Sequence, residues 1–138
     1  MIFSQLIKKK VFYWLLVIVY MSFIFYISSL PGTHLITKIS IYDKILHVVE
    51  FFILAALLYK CFDIADNKAL RENRYFLAIT ITIIYAISDE FHQSFVPGRV
   101  ADLNDIIADA FGASLILAFK LLRNLKKMSL VQKVHKKQ

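Results

Sequence analysis

The chain reads as an all-α integral membrane bundle of four transmembrane helices with both termini cytoplasmic, on three observations. Apolar residues make up 59% of its 138 positions, above the roughly 45–50% of a soluble domain. They gather into four blocks separated by polar stretches. Lys and Arg concentrate in alternate loops, as the positive-inside rule describes. The composition excludes disorder, and a single Cys excludes a disulfide scaffold. The net charge of +7 reads as basic flanks beside a bilayer, so no nucleic-acid partner is expected.

The first block, residues 11–30, holds no charge and at about 1.5 Å per residue can cross a hydrocarbon core of about 30 Å. Lys8, Lys9 and Lys10 precede it and Pro31-Gly32 stops it. No A-x-A-like site follows, so a retained anchor is expected, not a cleaved signal. The second block, 45–59, contains His47 and Glu50. The third, 75–88, can continue as helix through Asp89, Glu90 and Gln93 until Pro97 breaks it. A short, partly re-entrant loop is expected over 95–101. The fourth block runs from about 102 to 122, with Asp102 or Asn104 as N-cap and Asp105 and Asp109 near its start. Residues 1–10 then form a basic cytoplasmic N-terminus, 11–122 the four-helix domain and 123–138 a basic cytoplasmic tail.

Orientation follows from the cations. Fourteen of the 17 Lys and Arg fall on the side of both termini, and only Lys38, Lys44 and Arg99 on the other. The expected location is the cell membrane, multi-pass, with Cys61 on the reducing side. The tail lies on the anionic inner leaflet or stays solvated; composition fits both. Tyr13, Trp14, Tyr42, Tyr59 and Tyr75 at span ends read as interfacial anchors.

The acids show the opposite bias. Of ten, only Asp63, Asp66 and Glu72 lie on the inner side. Asp43, Glu50, Asp89, Glu90, Asp102, Asp105 and Asp109 share the outer end of three helices. Asp43, His47 and Glu50 repeat at i, i+4, i+7 and so stack on one helix face. Asp89, Glu90 and Gln93 make a second stripe, and Asp102, Asp105 and Asp109 a third, with Gly112 continuing its line where a backbone could approach. Turned to lipid, such stripes are expensive; turned to each other, they can pair, hydrate or hold a cation.

Two readings follow. In one the stripes are structural: Lys44 pairs carboxylates, Arg99 pairs Asp89 or Asp102, and His47 donates to Glu50. In the other they line a functional cavity, since seven carboxylates outnumber the nearby cations. Catalytic candidates are His47, Glu50, Asp89 and Glu90, able to supply carboxylate–imidazole acid/base chemistry. Ligand-binding candidates are Asp43, Lys44, Gln93, Arg99, Asp105 and Asp109, with Arg99 suited to a phosphate or carboxylate. No cofactor motif is present. A divalent cation on His47-x-x-Glu50, joined by Asp89, Glu90 or His92, is the metal alternative, although the spacing matches no established metal motif. Ser94 reads as a helix-end hydroxyl, not a nucleophile. Glu50 and Asp109 are expected to be the deepest carboxylates. Phe51, Phe91 and Phe95 beside the acids suit the apolar part of an amphiphile.

At these same residues the sequence resembles the VanZ-like family of bacterial membrane proteins. The matching elements are Asp43-Lys44-x-x-His47-x-x-x-Phe51, Asp89-Glu90-x-x-Gln93-x-Phe95-x-Pro97-x-Arg99, and Asp105 with Gly112; Ser29 and Pro31 also fit. Asp109 stands where many members have Asn, and Ile116 where a second Gly is common. The resemblance implies a small multi-span protein of the cell envelope, and the family's founding member is associated with resistance to teicoplanin, a lipid-bearing glycopeptide. The expected function is engagement of an amphiphilic or lipid-linked envelope molecule through the outer polar cavity. The alternative is an intramembrane enzyme acting on an envelope lipid or glycan. A cation-coupled transporter would need an oligomer, because no inverted repeat is visible.

Overall fold

A computed structural model describes residues 2–31 and 41–135. Lys38, expected on the outer side, lies outside the described residues, as do Lys136 and Lys137 of the basic tail. Among the described residues there are six helices and no strand: α1 (Ile2–Ser28), α2 (Ile41–Asp63), α3 (Lys68–Glu72), α4 (Arg74–Gln93), α5 (Leu103–Ser114) and α6 (Ile116–His135). Two helices are long and apolar enough to cross a membrane, over Gln5–Ser28 and Tyr42–Asp63.

Helix α2 is the axle, packing against α1, α4 and α5. Its buried stripe of Phe51, Leu54, Ala55, Leu58, Cys61 and Phe62 meets Val17 and Ile24 of α1 and Ala78 and Ala86 of α4. Alanines on α4 let the helices come close, and α5 goes further. A Cβ on Gly112 would overlap the carbonyl oxygen of Val48 and stand 3.0 Å from that residue's Cα. Only glycine fits there, as the polar stripe suggested. Ile116, in place of a second glycine, is almost fully buried and joins the core.

The fourth apolar block is divided. α5 ends at Ser114, and α6 begins after Leu115. The Leu115 N–H donates to Gly112 O at 3.1 Å and the Ala118 N–H to Leu115 O at 3.0 Å, three-residue bonds that tighten the chain without stopping it. Helix α6 continues to His135, so much of the basic tail extends the last apolar helix. The segment expected as a re-entrant loop is a compact turn. Val96 is buried in it, and Gly98 takes φ of 77°, a left-handed conformation that glycine adopts without a Cβ penalty.

The outward faces are also rich in apolar side chains. Phe12, Leu15, Val19 and Phe23 on α1, Ile45 and Val49 on α2, Ile84 and Ile87 on α4, and Ile107 and Phe111 on α5 are all exposed. Exposed apolar side chains on all four helices suit lipid better than water.

Candidate functional site

Antiparallel packing brings the C-termini of α1 and α4 and the N-termini of α2 and α5 to one end of the bundle. Asp89, Glu90, Gln93, Asp105 and Asp109 are all buried there. The three stripes converge as the sequence predicts.

Between α2 and α5 the carboxylates are matched with basic side chains. Lys44 bonds Asp102 Oδ2 at 2.9 Å and also Asp105 Oδ1. One turn deeper, His47 Nδ1 lies 3.0 Å from Asp109 Oδ1, with its Nε2 3.7 Å from Asp105 Oδ1. Asp109, 2% exposed, is the most buried carboxylate among the described residues. Asp102 stands ahead of α5 and caps it, accepting the Asn104 N–H at 2.9 Å, as the capping preference of Asp predicts. The hydrogen bond from Lys44, then that from the Asn104 N–H, holds its surface carboxyl below the usual Asp value. Glu90 accepts the Asp102 backbone N–H, tying the end of α4 to the start of α5.

Between α1 and α4 the partners are neutral. Buried Asp89 accepts Ser28 Oγ at 2.6 Å and Gln93 Nε2 at 2.9 Å. Ser29 Oγ lies 2.9 Å from His92 Nε2, and the His92 ring stacks on Phe25 at 4.4 Å. Arg99 pairs neither Asp89 nor Asp102. It donates to Ile27 O at 3.1 Å, Leu30 O at 3.3 Å and Gln93 Oε1 at 3.5 Å, a cation on the carbonyl end of α1 where the helix dipole favours it.

Other expectations need correction. His47 bonds Asp109 instead of Glu50, because the turn of α2 that carries it faces α5. Glu50 is only half-buried; Asp89 and Glu90 are deeper. Its carboxylate meets no hydrogen-bond partner among the described residues, while His47, Asp89, Asp109 and Arg99 lie within electrostatic reach. Phe51 is wholly buried against Tyr85 and lines no site, whereas Phe91 and Phe95 form an exposed edge-to-face pair at 5.0 Å. Ser94 bonds Phe91 O at 2.6 Å, the helix-end role expected of it. Ser28 escaped sequence reasoning. Its signal was a small hydroxyl beside Ser29 at the depth of the acids.

A cavity of about 560 Å³ opens beside the matched half, lined by Lys44, Asp102, Asn104, Ile107, Ala108 and Phe111. One end is charged and the wall along α5 is apolar. Exposed Asp43, with His47 and buried Asp105, offers donor atoms within 4.8 Å of one another. Those residue types in that arrangement can hold a divalent cation, with Lys44 competing for Asp105.

The family model described as VanZ/LLP1 matches residues 10–123, a span containing every residue of this network. Uncharacterized protein C11E3.10 of Schizosaccharomyces pombe is 33% identical over 113 residues, covering 79% of this chain and 67% of that protein. No solved structure matches. This chain belongs to the VanZ/LLP1 family.

Proposed function

We propose that the protein crosses the membrane four times with both termini cytoplasmic, and that its acid-bearing outer end binds an amphiphilic or lipid-linked envelope molecule. The observation that carries this reading is the cavity along α5. Its polar end holds Lys44, Asp102 and Asn104, and its wall is Ile107, Ala108 and Phe111. An anionic or hydrogen-bonding head group meets the Lys44 ammonium, while an acyl or prenyl chain lies against Ile107 and Phe111 in continuity with lipid. Such binding would alter access of a lipid-bearing glycopeptide such as teicoplanin to its target, which would account for the resistance associated with the family's founding member.

The test is equilibrium binding of fluorescent lipid-linked envelope intermediates and of lipoglycopeptide to the purified full chain. Saturable binding is expected, lost in Ile107→Trp, which fills the cavity from an exposed position without touching the core. A folded protein that binds none of these probes overturns the proposal.

A second reading, an intramembrane acid/base or metal-dependent enzyme, is favoured by the His47–Asp109 pair and by the donor set of Asp43, His47 and Asp105. His47 oriented by a buried carboxylate can shuttle a proton at its other nitrogen, and a divalent cation would polarise a phosphoryl or carbonyl oxygen. Metal analysis of chelator-free protein decides this branch. Stoichiometric metal that is lost in His47→Ala favours the enzyme; a metal-free protein that turns over no lipid substrate removes it.

A further inference from the structure

The opposite end of the bundle carries a second cluster. Tyr59 of α2 and Tyr75 of α4 meet with ring centroids 4.7 Å apart, and Tyr75 OH lies 3.5 Å from Tyr59 OH. The Arg74 guanidinium lies 5.3 Å from the Tyr75 ring centre, and Lys120 Nζ, from α6, 5.6 Å from the same ring. Arg123 Nη1 reaches Tyr59 OH at 3.5 Å. One carboxylate, Asp63, serves this group, 3.3 Å from Arg74 Nε and 3.7 Å from Lys60 Nζ. Among the described residues Lys120 and Arg123 have no ion-pair partner, although both are exposed. Four cations against one acid leave a local excess of positive charge beside two phenol hydroxyls.

Position narrows the ligand. From the start of α5 to Arg123 the helices rise on the order of 30 Å, the thickness of a hydrocarbon core. Leu121 and Leu122, beside Lys120, are both exposed. A cationic, hydroxyl-bearing cluster with an apolar skirt fits an anion carried on acyl chains better than a free anion.

We infer that Lys120, Arg123, Tyr59 and Tyr75 form a binding site for the phosphate group of an anionic membrane lipid, between α2, α4 and α6. Arg74 sits behind them, engaged by Asp63, and keeps the local potential positive. The inference rests on the membrane setting of the proposed function, not on the cavity along α5, so either can fail alone.

The experiment is lipid retention by the detergent-purified full chain, read by native mass spectrometry in mixtures of phosphatidylglycerol and phosphatidylcholine. Preferential retention of phosphatidylglycerol is expected, weakened about fivefold for each cation removed in Lys120→Gln and Arg123→Gln. The exchange Lys120→Arg with Arg123→Lys should retain it, which also checks that the site still folds. Lys126→Gln with Lys133→Gln removes the same charge farther along α6 and should leave retention unchanged. An equal loss in Lys120→Gln combined with Arg123→Gln and in Lys126→Gln combined with Lys133→Gln, or no preference between the lipids, overturns the inference. Displacement of the bound lipid by excess inorganic phosphate would overturn the lipid assignment in favour of a free anion.

Discussion

The two halves of the acid-bearing end solve the same problem differently. Between α2 and α5, Asp102, Asp105 and Asp109 face Lys44 and His47. Between α1 and α4, buried Asp89 has, among the described residues, the Ser28 hydroxyl and the Gln93 amide, while the nearby guanidinium of Arg99 serves the carbonyl end of α1. One half sets its acids against basic side chains; the other relies on dipoles and helix capping. A carboxylate matched by a cation suffers when the cation leaves, because an unpaired buried charge is dearer than a missing pair. A carboxylate held by neutral donors, replaced by its amide, gives up about one hydrogen bond and no ion pair. The proposed ligand site falls in only one of these halves. The cavity opens beside Lys44 and Asp102 in the charge-matched half, where a ligand head group can exchange with an existing ion pair.

The largest expected effect comes from breaking the deepest pair. His47→Leu leaves the 2% exposed Asp109 without a cation and should destabilise the bundle by about 3 kcal/mol. Adding Asp109→Leu should recover most of that loss. Thermal unfolding of both singles and the double in one detergent measures the coupling, and additive losses would mean that the pair is not the unit described here.

Next is Gly112→Ala. Its Cβ would overlap the Val48 carbonyl, so α2 and α5 must separate, at about 1–3 kcal/mol. Because Val48 adjoins His47, the same change should loosen the His47–Asp109 bond. A neutral stability result would show that the close approach is not needed.

Asp89→Asn provides the contrast. It keeps one acceptor for Ser28 or Gln93 and breaks no ion pair among the described residues, so a change within about 1 kcal/mol is expected. A loss as large as that of His47→Leu would erase the distinction between the halves.

The smallest effect is in pH. Asp102 has its carboxyl pKa lowered from 3.8 by Lys44 and the Asn104 N–H. A depressed carboxylate contributes stability that is present above its unfolded value and fades as pH falls through the lower folded one. The loss therefore falls below pH 3.8, and Asp102→Asn should flatten the acid limb of a stability–pH curve there while leaving neutral pH nearly unchanged.

Much of this was legible in residue order. Spacing at three and four residues put Asp43, His47 and Glu50 on one face, and the alternation of basic loops brought three acidic stripes to one end. Asp102 as N-cap and Gly112 as a point of close approach follow from local chemistry. Partner choice did not follow, because it depends on how α2 is rotated against its neighbours. That rotation sends His47 to Asp109 and Phe51 into the core. It was also hidden that Arg99 would reach the last carbonyls of α1, since a backbone acceptor leaves no mark in sequence. The division at Leu115 was masked because neither Pro nor any other helix breaker stands there, and the apolar block resumes at once with Ile116 and Leu117.

The most direct test of the central claim is photo-crosslinking of a single-chain anionic amphiphile, with its reactive group on the chain, to the full protein in membranes. Peptide mapping should place the adduct on the Ile107–Phe111 stretch of α5, and both Ile107→Trp and Lys44→Gln should suppress it. Labelling spread evenly over the exposed apolar faces of α1, α2 and α4, and unchanged by either variant, would contradict a ligand site at the charge-matched half.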